Sequence, residues 1–310
     1  MWKVSSGIFL GWSLGANDAA NIFGTGVATG LVKYRTAILM TAIFVLIGSW
    51  LEGSKCIETV SELSSLLPME AFCCALAAGM TMTALTYFAV PASSSHAIIG
   101  AVLGAGILSG SAELSKLFKI FSCWLFTPIS GLIFGYLLYR ALGFLLDRTV
   151  SSVIHRKFLF YLGILIFGCY GSYTLGANNL ANVTGVYVGS GLLSSKTASL
   201  IGGLSIASGV LTFSKKVMVT VGKGIAPLGP FSALVSVLAT ALTLHVFTQI
   251  GVPVSSSQAV VGAVVGVGMV GGLRTVGTRM LAKVLGGWVL TPLSGALITV
   301  ILIKGMGIGR

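Results

Sequence analysis

The sequence predicts an all-α polytopic membrane protein made of two inverted-topology repeats, with interrupted helices and re-entrant half-helices that meet at the bilayer midplane. Three observations carry this prediction. The 310-residue chain is 55% hydrophobic and only 8% charged, with a mean hydropathy of +1.00, which excludes a soluble globular domain as its main body. Its apolar runs are continuous, as in membrane helices, and lack the alternation of barrel strands. Blocks of the first half also return in the second, in the same order and 161 to 164 residues later.

Taken from the N-terminus, Val4 to Leu14 and Ile22 to Leu31 carry no charge. Each is too short to span about 30 Å of hydrocarbon as a helix. Between them lies Gly15-Ala16-Asn17-Asp18-Ala19-Ala20-Asn21, three amides or acids within seven residues, which reads as a helix broken at a polar patch. No small-residue cleavage site follows the first apolar run, so a removable signal peptide is not expected. Thr36 to Leu51 and Phe72 to Val90 are the next spans, separated by a polar loop from Glu52 to Glu70. Pro91 ends the second of them. Ser93, Ser94 and Ser95 follow, and then the apolar run Ala97 to Leu108, about 18 Å long if helical and too short to cross. Serines at such a position suit N-caps, and the free N–H groups and positive end of a half-helix bind anions.

Phe118 to Tyr139 is a span containing Trp124-Leu125-Phe126-Thr127-Pro128. The polar stretch Arg140 to Lys157 then joins the halves, giving a first repeat over 1–140, a connector over 141–157 and a second repeat over 158–310. In the second repeat, Phe158 to Leu175 leads into Gly176-Ala177-Asn178-Asn179-Leu180-Ala181-Asn182, the partner of the first polar patch. Leu234 to Ile250 precedes Pro253-Val254-Ser255-Ser256-Ser257-Gln258 and a second short run, Ala259 to Val270. Leu285 to Ile303 repeats the Trp-x-x-Thr-Pro pattern at Trp288 to Pro292. One polar break could be an accident; two in register imply a built site.

Charge gives the relative orientation of the halves. The loop from Glu52 to Glu70 holds four glutamates against Lys55, whereas its counterpart from Lys215 to Lys223 holds three lysines and no acid. Equivalent loops of opposite charge belong on opposite sides of the bilayer. Lys33 and Arg35, the stretch Arg140 to Lys157, the Lys215 loop, and Arg274, Arg279 and Lys283 are then cytoplasmic, with both termini outside a plasma membrane. The net charge of +12 is spread over short loops and so marks the positive-inside rule, with no nucleic acid implied. The five cysteines (Cys56, Cys73, Cys74, Cys123 and Cys169) form no Cys-x-x-Cys pair and read as small core residues.

The two kinds of motif offer complementary chemistry. Two half-helix ends with Ser93, Ser94, Ser95, Ser255, Ser256 and Ser257 suit an oxyanion. The oxygens of Asn17, Asp18, Asn21, Asn178, Asn179 and Asn182, with carbonyls freed by a helix break, suit a small hard cation. The plainer alternatives are amides that only fix helix packing and serines that only cap. An intramembrane acid in a duplicated cluster favours function over packing. His96 has Gln258 as its repeat partner, which makes it a hydrogen-bonding group more than a proton shuttle. A hydrolase triad of Ser95, His96 and Asp18 is disfavoured by the adjacency of Ser and His and by the lack of a nucleophile motif.

These residues resemble the inorganic phosphate transporter (PiT) family, sodium- or proton-coupled symporters with a duplicated Gly-Ala-Asn-Asp-x-Ala-Asn signature. Gly15 to Asn21 matches it throughout, and Gly176 to Asn182 matches except at Asn179. Pro91 to His96 and Pro253 to Gln258 are similar to the family's paired Pro-Val-Ser-Thr-Thr-His/Gln segments, and Lys215 to Lys223 resembles its basic stretch. The resemblance implies uptake of phosphate by alternating access, with phosphate at the serines, sodium or a proton at the amides and Asp18, no cofactor and no enzymatic activity. A sulfate or other oxyanion permease of the same fold is the alternative, followed by an anion channel; a homo-oligomer in the bilayer is compatible with either. Asn179 stands where the family has a second acid, and the glutamates that many members carry near the positions of Val45 and Val237 are absent here.

Overall fold

The computed structural model describes residues 2–308 apart from 64, 89, 91, 225–227 and 272–277. Pro91 and Arg274, both used above, lie outside the described residues. The described residues form twelve α-helices: α1 (Ser5–Ala28), α2 (Tyr34–Glu52), α3 (Ile57–Ser61), α4 (Pro68–Tyr87), α5 (Ser94–Ser109), α6 (Leu114–Thr149), α7 (Val153–Gly189), α8 (Ser195–Phe213), α9 (Lys215–Gly224), α10 (Pro230–Ile250), α11 (Ser256–Gly271) and α12 (Thr278–Gly305). A 3-10 turn over Gly53–Cys56 links α2 to α3. Seven of the helical stretches are long and apolar enough to cross a membrane, while Ser94–Ser109 and Ser256–Val270 are short apolar helices. Large exposed side chains on α6 and α12, among them Leu125, Phe126, Leu290 and Leu293, present the apolar surface that lipid requires.

The half-helices α5 and α11 start at the serine runs, where the sequence places them. The expected breaks at the polar patches do not occur. α1 runs unbroken through Gly15 to Asn21, and α7 runs for 37 residues through Gly176 to Asn182. The physical reason lies in where the polar groups find partners. Asn17, Asp18 and Asn21 bond to groups on other elements, so their side chains are satisfied without opening the backbone, and Ala16, Ala19 and Ala20 favour the helix. The chain is interrupted instead between α4 and α5 and between α10 and α11, where Gly251 adopts φ 79° to end α10. The carbonyls inside the patches are therefore held in the helices and not freed as cation ligands. The polar connector is also largely helical, with only 150–152 lying between α6 and α7.

The repeats are interlocked through glycines. A methyl group at Gly15 would collide with the Ile206 carbonyl, and one at Gly209 with that of Trp12, so α1 of the first repeat and α8 of the second touch backbone to backbone. Gly48 and Gly176 do the same for α2 and α7, against the Tyr173 and Val45 carbonyls. The half-helices follow suit: Gly100 of α5 lies against Pro292 of α12, and Gly262 of α11 against Pro128 of α6. Small residues that let backbones approach are the usual basis of helix association in lipid. Here each such contact joins one repeat to the other.

Proline gives the half-helices a further hold. Pro292 lies inside α12 and deprives the Trp288 carbonyl, four residues earlier, of its helical N–H. His96 Nδ1 donates to that carbonyl at 3.0 Å, which fixes the proton on Nδ1 because a carbonyl only accepts. The imidazole also packs on Trp124, with ring centroids 3.8 Å apart. His96 thus fastens the start of α5 to α12 and α6, a hydrogen-bonding role in line with its Gln258 counterpart.

Candidate functional site

At residue 17 and its repeat equivalent the structure makes the same small device twice. Asn17 Nδ2 donates to Thr86 Oγ1 at 2.8 Å and to the Val90 carbonyl at 3.2 Å, while its Oδ1 accepts from the Ala92 N–H at 3.1 Å. Asn178 Nδ2 donates to Thr248 Oγ1 at 3.0 Å and to the Val252 carbonyl at 3.2 Å, and its Oδ1 accepts from the Val254 N–H at 2.9 Å. Both amides are fully buried and use both ends on the segment that precedes a half-helix. They splint the interruptions. Thr86 and Thr248 were not singled out in the sequence, although extending the repeat alignment five residues upstream from Pro91 and Pro253 pairs them.

The remaining polar residues converge from four helices. Ser94, at the start of α5, donates to Asp18 Oδ2 at 2.9 Å and to Asn179 Oδ1 at 3.2 Å, so its single hydroxyl proton is shared between α1 and α7. Asn182 Nδ2 donates to Ser95 Oγ at 2.9 Å and to Asn179 Oδ1 at 2.8 Å. Asn21 Nδ2 donates to Ser256 Oγ at 2.9 Å, at the start of α11, and lies 3.4 Å from Asp18 Oδ1. Each repeat's amide helix thus reaches the half-helix of the other: Asn21 crosses to Ser256, and Asn182 to Ser95. Asp18, Asn21, Ser94, Ser95, Asn179, Asn182 and Ser256 are all buried.

The outer serines have local work. Ser93 Oγ accepts from the His96 N–H and Ser255 Oγ from the Gln258 N–H, each at 3.2 Å, which caps α5 and α11 as the sequence suggested. Ser257 Oγ lies 2.9 Å from Ser255 Oγ, and Ser95 Oγ donates to the Val254 carbonyl of the opposite repeat. Since Ser95 bonds there and His96 to Trp288, no Ser–His bond forms and the triad geometry is missing.

Two features define what the cluster can hold. Asn21 Oδ1 and Asn182 Oδ1, equivalent in the two repeats, are buried acceptors with no hydrogen-bond partner among the described residues. A buried oxygen of this kind calls for a donor or a cation. Beside them stands the Asp18 carboxylate, the one acid in either polar patch. The donors gathered here are hydroxyls, amides and one carboxylate, oxygen groups of the kind that hard cations take as ligands. The starts of α5 and α11 bring two positive helix ends to the same cluster, with the Ser94 and Ser95 hydroxyl protons turned to Asp18, Asn179 and the Val254 carbonyl.

Comparison with known proteins agrees with the internal duplication. The model of the phosphate transporter family matches this chain twice, at residues 14–162 and 152–299. A candidate phosphate permease of Methanocaldococcus jannaschii is 30% identical over 94% of this chain and 92% of its own. A second, from Pyrococcus furiosus, is 26% identical over 97% of this chain and 94% of its own. Among solved structures, one described as the sodium-dependent phosphate transporter superposes with a TM-score of 0.85 at 21% identity, covering 99% of this chain and 98% of that one, which establishes the common fold.

Proposed function

The chain belongs to the phosphate transporter family, and from that premise we propose that it takes up inorganic phosphate by symport with sodium through alternating access. The family is one of transporters, not enzymes. The observation that carries the finer reading is the single cluster in which Asp18, Asn21, Asn179 and Asn182 meet Ser94, Ser95 and Ser256 across the repeat boundary. Phosphate binds at the starts of α5 and α11, to Ser94, Ser95, Ser256 and Ser257, with Ser93 and Ser255 holding those starts in shape. Sodium binds at Asp18 and the free oxygens of Asn21 and Asn182, with Asn179 alongside. Asn17 and Asn178 keep the two interruptions rigid and act on the ions only indirectly.

Electrostatics explain why the two ions travel together. Neither Ser run contains Lys or Arg, so fixed positive charge at the anion is limited to the helix ends. Each end contributes about half an elementary charge, against one to two negative charges on phosphate. Bound sodium makes up the difference, and by linkage each ion raises the affinity of the other by the same factor. The sodium dependence stated for the solved relative of like fold supports sodium as the coupling ion. The protein lies in the plasma membrane with the Lys215 loop inside and both termini outside.

The test is uptake of radiolabelled phosphate into proteoliposomes under an imposed sodium or proton gradient, with sulfate as competitor. Uphill uptake driven by sodium and indifferent to sulfate is the expected result. Uptake that sulfate suppresses favours a broader oxyanion permease, and flux that never runs uphill favours a channel.

A further inference from the structure

The interruption between α10 and α11 is fastened from outside the central cluster by a network that the described residues of the other repeat do not reproduce. Lys55, in the 3-10 turn after α2, donates to Gln249 Oε1 at 2.7 Å and pairs with Glu52 Oε1 at 3.2 Å. Gln249 Nε2 in turn donates to Glu52 Oε2 at 3.0 Å, and His245 Nε2 lies 3.3 Å from the same oxygen. Tyr170 OH holds the other face of His245, 2.5 Å from Nδ1. Thr59 Oγ1 reaches the carbonyl of Gly251, the residue whose positive φ ends α10, at 2.5 Å. One carboxylate thereby gathers the end of α2, the turn after it and the last two turns of α10.

Among the described residues, the equivalent place in the other repeat is barer. Lys216, at the position of Lys55, donates to the Tyr87 carbonyl at 2.7 Å and lies over the Tyr87 ring at 5.1 Å. Tyr87 is the counterpart of Gln249, and Phe213, an uncharged residue, that of Glu52. Phe213 stacks on Trp12 with ring centroids 5.5 Å apart, and Thr220, the counterpart of Thr59, bonds its own helix at Lys216. Because the repeats are inverted, the two fastenings lie on opposite faces of the membrane.

What lies on either side of the richer network suits a gate. Outside it is a polar cavity of about 620 Å³ lined by Lys55, Glu58, Thr59, Glu62, Lys116 and Lys119 together with Gln249 and Gly251. Behind it is the fully buried Cys56, 3.9 Å from the Nδ2 of Asn178, the residue that splints the same interruption. From this arrangement we infer that Glu52, Lys55, Thr59, His245 and Gln249 form the latch of a gate between that cavity and the central site, and that Lys216 on Tyr87 is its weaker counterpart on the other face. The two latches are made and released in alternation. The inference rests on the alternating-access reading above and adds the residues that set which face opens.

Cys56 is a native reporter. Protein in lipid nanodiscs is exposed to a charged, membrane-impermeant maleimide at fixed pH, and the modification of Cys56 alone is followed by peptide mass spectrometry. Glu52→Gln removes the charge that Lys55 and His245 share, and the Cys56 rate rises about twofold to fivefold, the range for a partly exposed ion pair. Thr59→Val moves the rate in the same direction without altering charge, and it decides the matter if Glu52→Gln does not fold. Lys216→Met loosens the opposite face and lowers the Cys56 rate. Rates equal to wild type in Glu52→Gln and Thr59→Val, or a rise in Lys216→Met, would overturn the latch. Labelling requires no transport: flat labelling alongside gradient-driven phosphate uptake overturns the latch alone, whereas absent uptake alongside responsive labelling overturns the symport reading and leaves the gate.

Discussion

Asp18 accepts from Ser94 with one oxygen, and its repeat equivalent Asn179 accepts from the same hydroxyl with its amide oxygen. The two positions therefore differ in charge more than in geometry, and Asp18→Asn should fold normally yet abolish or strongly weaken cation-driven uptake. Undiminished gradient-driven flux through that variant would remove Asp18 from the cation site. The splinting amides should behave differently. Asn178→Ala leaves the Val254 N–H and the Val252 carbonyl buried without their partner, a loss of about 2 kcal/mol or more, so thermal unfolding of the detergent-solubilised protein should shift clearly downward. An unshifted melting temperature would contradict the splint. All six polar-patch residues were legible in the sequence as a group, but their division of labour was not. That division depends on which partner each side chain reaches, and Asn21 finds Ser256 235 residues away.

The half-helices α5 and α11 were readable because their starts are set locally: Ser93 and Ser255 cap them through the His96 and Gln258 N–H groups. The continuity of α1 and α7 was not readable, since the same polar residues suggest a broken helix unless their partners are known. The glycine contacts were likewise hidden, because a glycine-rich stretch does not name the helix it will touch. Two predictions belong at this level. Gly262→Val drives a side chain into the Pro128 backbone, which cannot yield as a flexible side chain would, and should cost more than the roughly 1–3 kcal/mol of ordinary overpacking; a yield and melting temperature like wild type would refute the contact. His96→Gln retains a donor for the Trp288 carbonyl and copies Gln258, so it should transport normally, whereas His96→Leu should lose about 1–3 kcal/mol by leaving that carbonyl bare. Equal loss in both variants would assign His96 a task beyond hydrogen bonding.

For the molecule as a whole, opposite loop charge was enough to propose the inversion, and it makes a direct topological prediction. In sealed vesicles of defined orientation, a cysteine at Glu62 should react with an impermeant reagent from the outside, and one at Gly222 only from the inside. Reaction of both from one side would refute the assignment. The division at 140 and 158, by contrast, describes sequence ancestry better than it describes packing, since α5 rests on α12, α6 on α11, α1 on α8 and α2 on α7. That interlock has a consequence for the order of synthesis. α5 is made early, yet the surface that receives Gly100 belongs to the last described helix. Throughout most of translation the nascent chain must carry a short, serine-capped helix into the bilayer with only α4 beside it and its α12-facing side uncovered. Insertion must therefore be held open, and the earliest part of the protein finishes folding only when the latest part arrives. A chain cut before α12 is not half a transporter; it is an unfinished one, and it should be cleared by proteolysis.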